Sequence, residues 1–375
     1  MKVRTVGLRL TAAMGAVGCV AAYTLLPSTA NADVSTFTAS AIAYPFRTAT
    51  TNPTLPLGMP YEGYGPFAST NLTSIGAADA VAAGPYPGPV AVQGPGLVNA
   101  ITGAQLPTYP FFVTAEAGEG ARSVDNPFST LNAASNPGVV TADAVLGAAF
   151  SGASANARSE RLEFGGVRST AESTYDILEL ANNIEIRGLR SVASAVSEGN
   201  GEAVTSSLLE FDSITAPGLI YQTPCALPPQ LGLPEGQGEL PCTKSEGLVL
   251  SFRNGQFLLT TPDGTKQAQP IDAGAVKSAF AAIGVKMTYQ EPVVTKDGVT
   301  AAGMTFSTDL PELPDNETGI AGVTTQLFEI GFAAASAKAQ TTVSTFGAGT
   351  APAAALTALG LLAFAGVGRT RTTGE

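Results

Sequence analysis

The chain of 375 residues contains no histidine and no tryptophan, and only 13% of its residues are charged. Without histidine there is no Ser-His-Asp or Cys-His catalysis, no histidine metal site and no imidazole pH switch. Without tryptophan the commonest sugar-stacking side chain is gone, so tyrosine or phenylalanine would have to serve instead. Cysteine is scarce as well. Of three, Cys19 lies in an apolar N-terminal run, while Cys225 and Cys242 flank ALPPQLGLPEGQGELP. In an exported chain these two pair most simply as a disulfide, and closing that loop stabilises by about 3 kcal/mol in the chain-entropy account. A metal site built on them lacks further soft ligands.

The balance of charge is acidic, at −11 overall, and removing Lys2, Arg4, Arg9 and the net +1 of Arg369, Arg371 and Glu375 leaves −15 between the ends. Such a surface excludes nucleic acid as a partner, because phosphate binding needs clustered lysine and arginine. Hydrophobic residues nevertheless reach 45% of the chain, which is too many for a disordered polymer. Small residues at this density suit closely packed strands.

The two ends carry the clearest signals. Lys2, Arg4 and Arg9 flank or precede an apolar run from Leu10 to Leu26, and Ala30-Asn31-Ala32 supplies small residues at −3 and −1, so 1–32 reads as a signal peptide. A weak lipobox at Ala16-Val17-Gly18-Cys19 is the rival, but it would leave an apolar mature N-terminus. Residues 351–368 are uncharged and long enough, at 1.5 Å per helical residue, to cross a hydrocarbon core. Arg369 and Arg371 would then stay cytoplasmic, making 346–375 a transmembrane anchor with a short basic tail and placing the rest outside the cell. Leu313-Pro314-Asp315-Asn316-Glu317-Thr318-Gly319 echoes a sortase signal but has two extra residues and lies far upstream of the tail.

Between the ends the chain divides at about residue 152. Residues 33–152 open with a strand over 33–43, in which Thr36, Thr38, Ser40 and Ile42 alternate with Phe37, Ala39, Ala41 and Ala43. Then comes a Pro/Gly/Tyr-rich stretch, 44–110, expected to be loops and isolated edge strands covering a core, with Pro89–Val92 and Pro110–Val113 as its strands. Tyr61, Tyr64, Tyr86 and Tyr109 sit there as candidate ligand-binding rings, able to contact a polysaccharide or a protein partner or to pack down onto the core.

Residues 153–345 read as the β-rich core of an ectodomain around the 225–242 loop. Asn182-Asn183 opens a strand and Gly188 marks a slip in its alternation, as at a bulge. Gly199-Asn200-Gly201 turns a long hairpin, and Asn254-Gly255 turns a short one. Asp272 caps one helix, Ala273–Ile283, before Gly284 ends it. Strands follow near 285–289, 300–307 and 323–333. The fold class is therefore mainly β: an antiparallel β-sandwich-like ectodomain with one short helix, plus the C-terminal transmembrane helix.

No catalytic residue, metal ligand or cofactor motif stands out. Glu160, Glu163, Glu172, Asp176, Glu179, Glu185 and Glu210 are the carboxylates from which a glycoside hydrolase pair would have to be drawn, but Glu160-Arg161 and Glu185-Arg187 read as exposed ion pairs on edge strands. Asp309 to Glu317 offers oxygen ligands for calcium, with prolines where an EF-hand loop needs none.

GGVRSTAES, IEIRGLRSVASAVSEGNGEAVTSS, GVKMTYQEP, DGVTAAGMTFST and GVTTQLFEIGFAAASAKA, between a signal peptide and an Ala/Leu tail with arginines, resemble the actinobacterial choice-of-anchor surface proteins of the P type. The resemblance spans roughly 140–340 and both ends. It implies a cell-surface location and no catalytic residues. Together these features point to an exported, membrane-anchored protein with a structural, adhesion or ligand-display role. Its partners would be the membrane through 351–368 and cell-wall polysaccharide or another surface protein; polysaccharide binding through the tyrosine loops and carboxylate hydrolysis are the alternatives.

Overall fold

The computed structural model describes residues 34–52, 61–103, 105–107, 109–147, 152–163, 165–199, 201–220, 222–224, 241–244, 249–260, 269–310 and 323–341. The expected signal peptide, the 351–368 span and Cys225 lie outside these residues. Among the described residues no helix is long and apolar enough to cross a membrane.

The described chain begins with β1 (Val34–Thr51), followed by β2 (Tyr61–Tyr64), β3 (Phe67–Thr73), β4 (Ala78–Ala83), α1 (Pro89–Thr102) and β5 (Phe112–Glu116). A meander then runs through β6 (Gly120–Asp125), β7 (Ser129–Asn136), β8 (Val139–Leu146), β9 (Ser154–Arg161), β10 (Val167–Leu180), β11 (Ile184–Ser197) and β12 (Val204–Thr215). Next come β13 (Gln222–Pro224), β14 (Pro241–Lys244), β15 (Val249–Arg253), β16 (Gln256–Thr260), β17 (Gln269–Ile271) and α2 (Ala273–Ala282). The described chain closes with β18 (Lys286–Gln290), β19 (Val293–Thr295), β20 (Gly298–Thr300), β21 (Gly303–Leu310) and β22 (Thr324–Thr341).

All strands but β13 and β14, which pair with each other, form two antiparallel sheets packed face to face. Sheet A runs β18-β21-β22-β1-β3-β4-β5, with β2 beside β1 and the β19–β20 hairpin beside β22; sheet B runs β17-β16-β15-β12-β11-β10-β9-β8-β7-β6. The terminal strands β1 and β22 pair along their lengths in the middle of sheet A, from Val34↔Thr341 to Thr51↔Thr325. Strands around 153–215 thus belong to one sheet and those around 286–341 to the other. Two similar stretches, Gly166-Val167-Arg168-Ser169 and Gly188-Leu189-Arg190-Ser191, fall at the start of β10 and within β11, which are antiparallel neighbours.

Alternation dictates which side chains meet between the sheets. Ala39, Ala41 and Ala43 of β1 turn inward with Ala333, Ala335, Ala337 and Ala339 of β22, against Ala155, Ala157, Ala171, Ala193 and Ala195 of sheet B. Methyl groups are short. Cα atoms of β1 and β22 therefore come within 8 Å of those of β10, closer than the usual 10 Å or so between stacked sheets. A second, bulkier core holds Ile184, Ile186, Leu209, Phe211, Ile214, Leu250, Phe252, Met304 and Phe306, with Val276, Ala279 and Phe280 of α2 packed into it. Asp272 caps α2 by accepting from the Gly274 and Ala275 N–H groups, as its position before the apolar stripe requires.

The boundary between the two cores is a single row. β11 buries Ile184 and Ile186 and then, beyond Gly188, Leu189, Ser191, Ala193 and Ala195. β10 and β12 change their buried face at the same level, at Asp176 and Asp212. Pairing continues in unchanged register on both sides, Tyr175↔Leu189 and Ile177↔Arg187 on one flank, Arg187↔Ser213 and Arg190↔Glu210 on the other. Gly188 therefore marks no inserted residue: the slip is a left-handed step, at φ 64°. In sheet A, Gly331 at φ 75° stands between buried Ile330 and buried Ala333.

Two expectations need correcting. Residues 44–110 are not a cover over the core: β1 extends through Pro45 to Thr51, and β3 and β4 are inner strands of sheet A. The proline falls opposite Gly331, at a step where β1 and β22 skip one pair, so its missing N–H breaks no paired rung. Pro89–Val92 is not a strand but opens α1, a second α-helix among the described residues. A proline in the first turn suits a helix start, and Gly103, left-handed, ends it by donating its N–H to Asn99 O.

Candidate functional site

The outer faces of the two sheets differ in chemistry. On sheet B the face is a lattice of ion pairs: Glu160 with Arg158 and Arg168, Arg190 with Glu172 and Glu210, Arg187 with Glu185, Arg253 with Asp212. The expected Glu185-Arg187 pair is there, whereas Glu160 turns to Arg158 and Arg168 instead of Arg161. Of the seven carboxylates considered for hydrolysis, Glu160, Glu172, Glu185 and Glu210 are occupied in this lattice.

Sheet A presents hydroxyl groups and rings. Thr38, Ser40, Ile42 and Tyr44 of β1 alternate outward, Ser40 sharing a 2.8 Å hydrogen bond with Ser336. The register sets Tyr44 beside Phe332 and brings Phe67 and Phe112 to the same level through Ala43↔Ala68, Phe67↔Ala83 and Ala83↔Phe112. Tyr86 joins from just beyond β4, held by reciprocal backbone bonds with Tyr64 of 2.8 and 3.1 Å. The resulting row stacks Phe332 on Tyr44 (4.5 Å, 2°), Tyr44 on Phe67 (6.5 Å, 17°), Phe67 on Tyr86 (4.8 Å, 24°) and Tyr86 on Phe112 (6.4 Å, 20°). Tyr64 meets Tyr44 and Phe67 edge-on at 5.1 and 5.9 Å. At one strand spacing per step the row is about 20 Å long.

Beside the row lies a polar centre. Arg47 donates to Glu62 at 2.6 Å and Glu329 at 3.2 Å, with its guanidinium 5.7 Å from the Tyr64 ring centre. The Tyr44 hydroxyl donates to Glu329 at 3.3 Å and the Tyr64 hydroxyl to Glu62 at 3.0 Å. Burial, then the charge of Glu329, holds the Tyr44 hydroxyl far above its ordinary range. Burial, then Glu62, pushes Tyr64 up to about 12. Burial alone raises Tyr86 and Tyr109. All four phenols are thus donors at neutral pH. For Arg47 burial acts downward, but the hydrogen bond to Glu62 and the neighbouring negative groups outweigh it and raise the guanidinium further. Each carboxylate spends lone pairs on the shared guanidinium, so Glu62 and Glu329 are not a free acid and base.

The candidate tyrosines separate into three situations. Tyr64 and Tyr86 come together in the row, 5.5 Å apart. Tyr109 belongs to an adjoining cluster, 5.7 Å from Phe111, which is 6.4 Å from Phe128; its hydroxyl donates to Pro85 O at 2.7 Å. Tyr61 is in β2 opposite Thr50, and its side chain lies outside the described residues. Tyr44, Phe332, Arg47, Glu62 and Glu329 are participants that sequence reasoning missed. The signal for Tyr44 was present, since the outward series of 36, 38, 40 and 42 continues to it. Phe332 and Glu329 sit almost three hundred residues away, and only the β1–β22 register joins them.

A face-to-face stack engages ring faces with one another and the Tyr44 and Tyr64 hydroxyls are spent on Glu329 and Glu62, so the serine and threonine hydroxyls and the remaining carboxylate lone pairs supply the hydrogen-bond groups alongside. Such a surface can bind a hydroxylated polymer chiefly by hydrogen bonding. No family model matches this chain, and neither curated proteins nor solved structures give a match. Among the described residues no three potential metal ligands cluster; most of the Asp309–Glu317 stretch lies outside them. Cys242 belongs to β14, whose backbone pairs with β13 next to position 225; the expected bond itself is outside the described residues.

Proposed function

We propose that this chain is an exported surface protein whose β-sandwich is held at the membrane by residues 351–368 and displayed outside the cell in a structural, adhesion or ligand-display role. The supporting observation is the pairing of Val34 with Thr341. A processed N-terminus and a C-terminal stem would leave from one pole, so a single tether leaves the opposite pole free. The ion-pair lattice on sheet B favours a solvated outer face, and the resemblance to choice-of-anchor proteins agrees with display. The test is expression of the full chain in an actinobacterial host. Carbonate-resistant membrane association, accessibility of the sandwich to added protease, and release into the medium on deleting 351–368 are expected. Retention in the cytosol, or unchanged membrane association after the deletion, would refute the anchor.

The row on sheet A favours a second reading, in which the protein holds envelope polysaccharide. Co-sedimentation with isolated cell wall should then be lost on changing Tyr64 and Tyr86 to alanine while circular dichroism is unchanged. Equal sedimentation of the parent and the variant would remove the row from consideration.

A further inference from the structure

The pole that carries Val34 and Thr341 also holds a cleft of about 590 Å³ between the ends of the two sheets. The β3–β4, β5–β6, β7–β8 and β9–β10 turns form its rim, because all four close at the level where β1 begins. Its volume lies within the range of small-molecule sites. Phe37, Leu72 and Val139 give it an apolar lining, Leu72 showing only 4% of its surface.

The polar groups at the mouth depart from the pattern of the rest of the molecule. Every other described arginine is ion-paired: Arg47, Arg122, Arg158, Arg168, Arg187, Arg190 and Arg253 each face a carboxylate. Arg161 makes no ion pair among the described residues, and its guanidinium lies 5.8 Å from the centre of the Phe37 ring. A guanidinium held beside a ring and not by a carboxylate keeps its N–H donors for another partner, and a planar carboxylate suits them. Glu163, two residues along the same rim, is likewise outside the ion pairs of the described residues and does not engage Arg161. A lone cation would favour a simple anion. A separated cation and carboxylate over an apolar floor instead complement a ligand bearing both charges.

We propose that this cleft binds a small zwitterion with an apolar body, an amino acid or short peptide, its carboxylate on Arg161, its ammonium on Glu163 and its side chain against Phe37 and Leu72. Three probes share one apolar body and differ only in charge: phenylalanine, N-acetylphenylalanine as the anion, and phenylalanine amide as the cation. Binding to the purified full chain in detergent would be followed by saturation-transfer NMR and titration. Phenylalanine should bind tightest. Glu163→Gln should reduce its affinity about fivefold or more while leaving N-acetylphenylalanine unaffected or improved, and Arg161→Gln should do the converse with the amide, as loss of one charge-assisted bond predicts. Melting curves of both variants check that the turn is intact, and Glu163→Gln carries the test if Arg161→Gln perturbs the Phe37 contact. No binding of any probe, equal binding of all three, or tighter binding of the anion than of phenylalanine would each overturn the proposal.

Discussion

Replacing Gly188 by alanine tests whether the two-core arrangement depends on one left-handed residue. At φ 64° a side chain costs about 1–2 kcal/mol. An added Cβ would also fall inside contact distance of the Asp212 carboxylate, 2.7 Å from its Cγ. Asp212 can swing away, but it then leaves Arg253, to which it is bonded at 2.7 Å. Both partners are more than half exposed, 59% and 66%, so that loss adds only about 0.2–1 kcal/mol. The expected total is about 1.2–3 kcal/mol, read as a lower urea midpoint. Asp212→Ala alone should cost less than about 1 kcal/mol. In that background Gly188→Ala should keep its conformational part, about 1–2 kcal/mol, and lose the steric part, so the two changes are sub-additive. A Gly188→Ala chain within about 0.5 kcal/mol of the parent would refute the reasoning, because Ile186 and Leu189 could then both face the core without a left-handed step between them.

Other changes test the remaining layers. Ala193→Leu should destabilise by about 1–3 kcal/mol or more in denaturant titration, since the sheets are too close to accept a longer side chain, whereas outward Thr38→Ile should stay within about 0.5 kcal/mol. Arg47→Met leaves Glu62 and Glu329, 25% and 18% exposed, without their shared cation and should cost about 1–2 kcal/mol in the same assay. Tyr64 retains its proton longer folded than unfolded, so its contribution is complete below pH 10 and is lost as pH rises towards about 12. Urea midpoints should therefore fall between those values, less steeply in Tyr64→Phe. If Cys225 and Cys242 are bonded, thiol counting under denaturing, non-reducing conditions will find neither free, and reduction will lower stability by up to about 3 kcal/mol; free thiols would sink the pairing.

Much of the fold is legible in short stretches of sequence because its causes are local. Asn254-Gly255 turns β15 into β16, Gly199–Gly201 lies between β11 and β12, and Asp272 and Gly284 bracket α2, each through a backbone preference expressed within a few residues. Alternating alanines assign the inner face of β1 for the same reason. The Pro/Tyr-rich stretch resists such reading. Proline lowers strand propensity wherever it occurs, and only the skipped rung opposite Gly331 makes Pro45 harmless in a central strand. Pro89, expected to begin a strand, instead opens α1, which runs on to the αL cap at Gly103.

By itself, then, the amino-acid sequence determined the mainly β class, the local turns, the capped helix and the absence of histidine chemistry, since these follow from residue type and period. Tertiary structure alone decided that the first and last described strands are neighbours, that Phe332 stacks on Tyr44, that Arg47 joins Glu62 to Glu329, and that Arg161 meets Phe37 at a cleft. Those relations depend on register between segments up to about three hundred residues apart. Register is fixed by the burial of whole faces against one another, and no single segment carries that information.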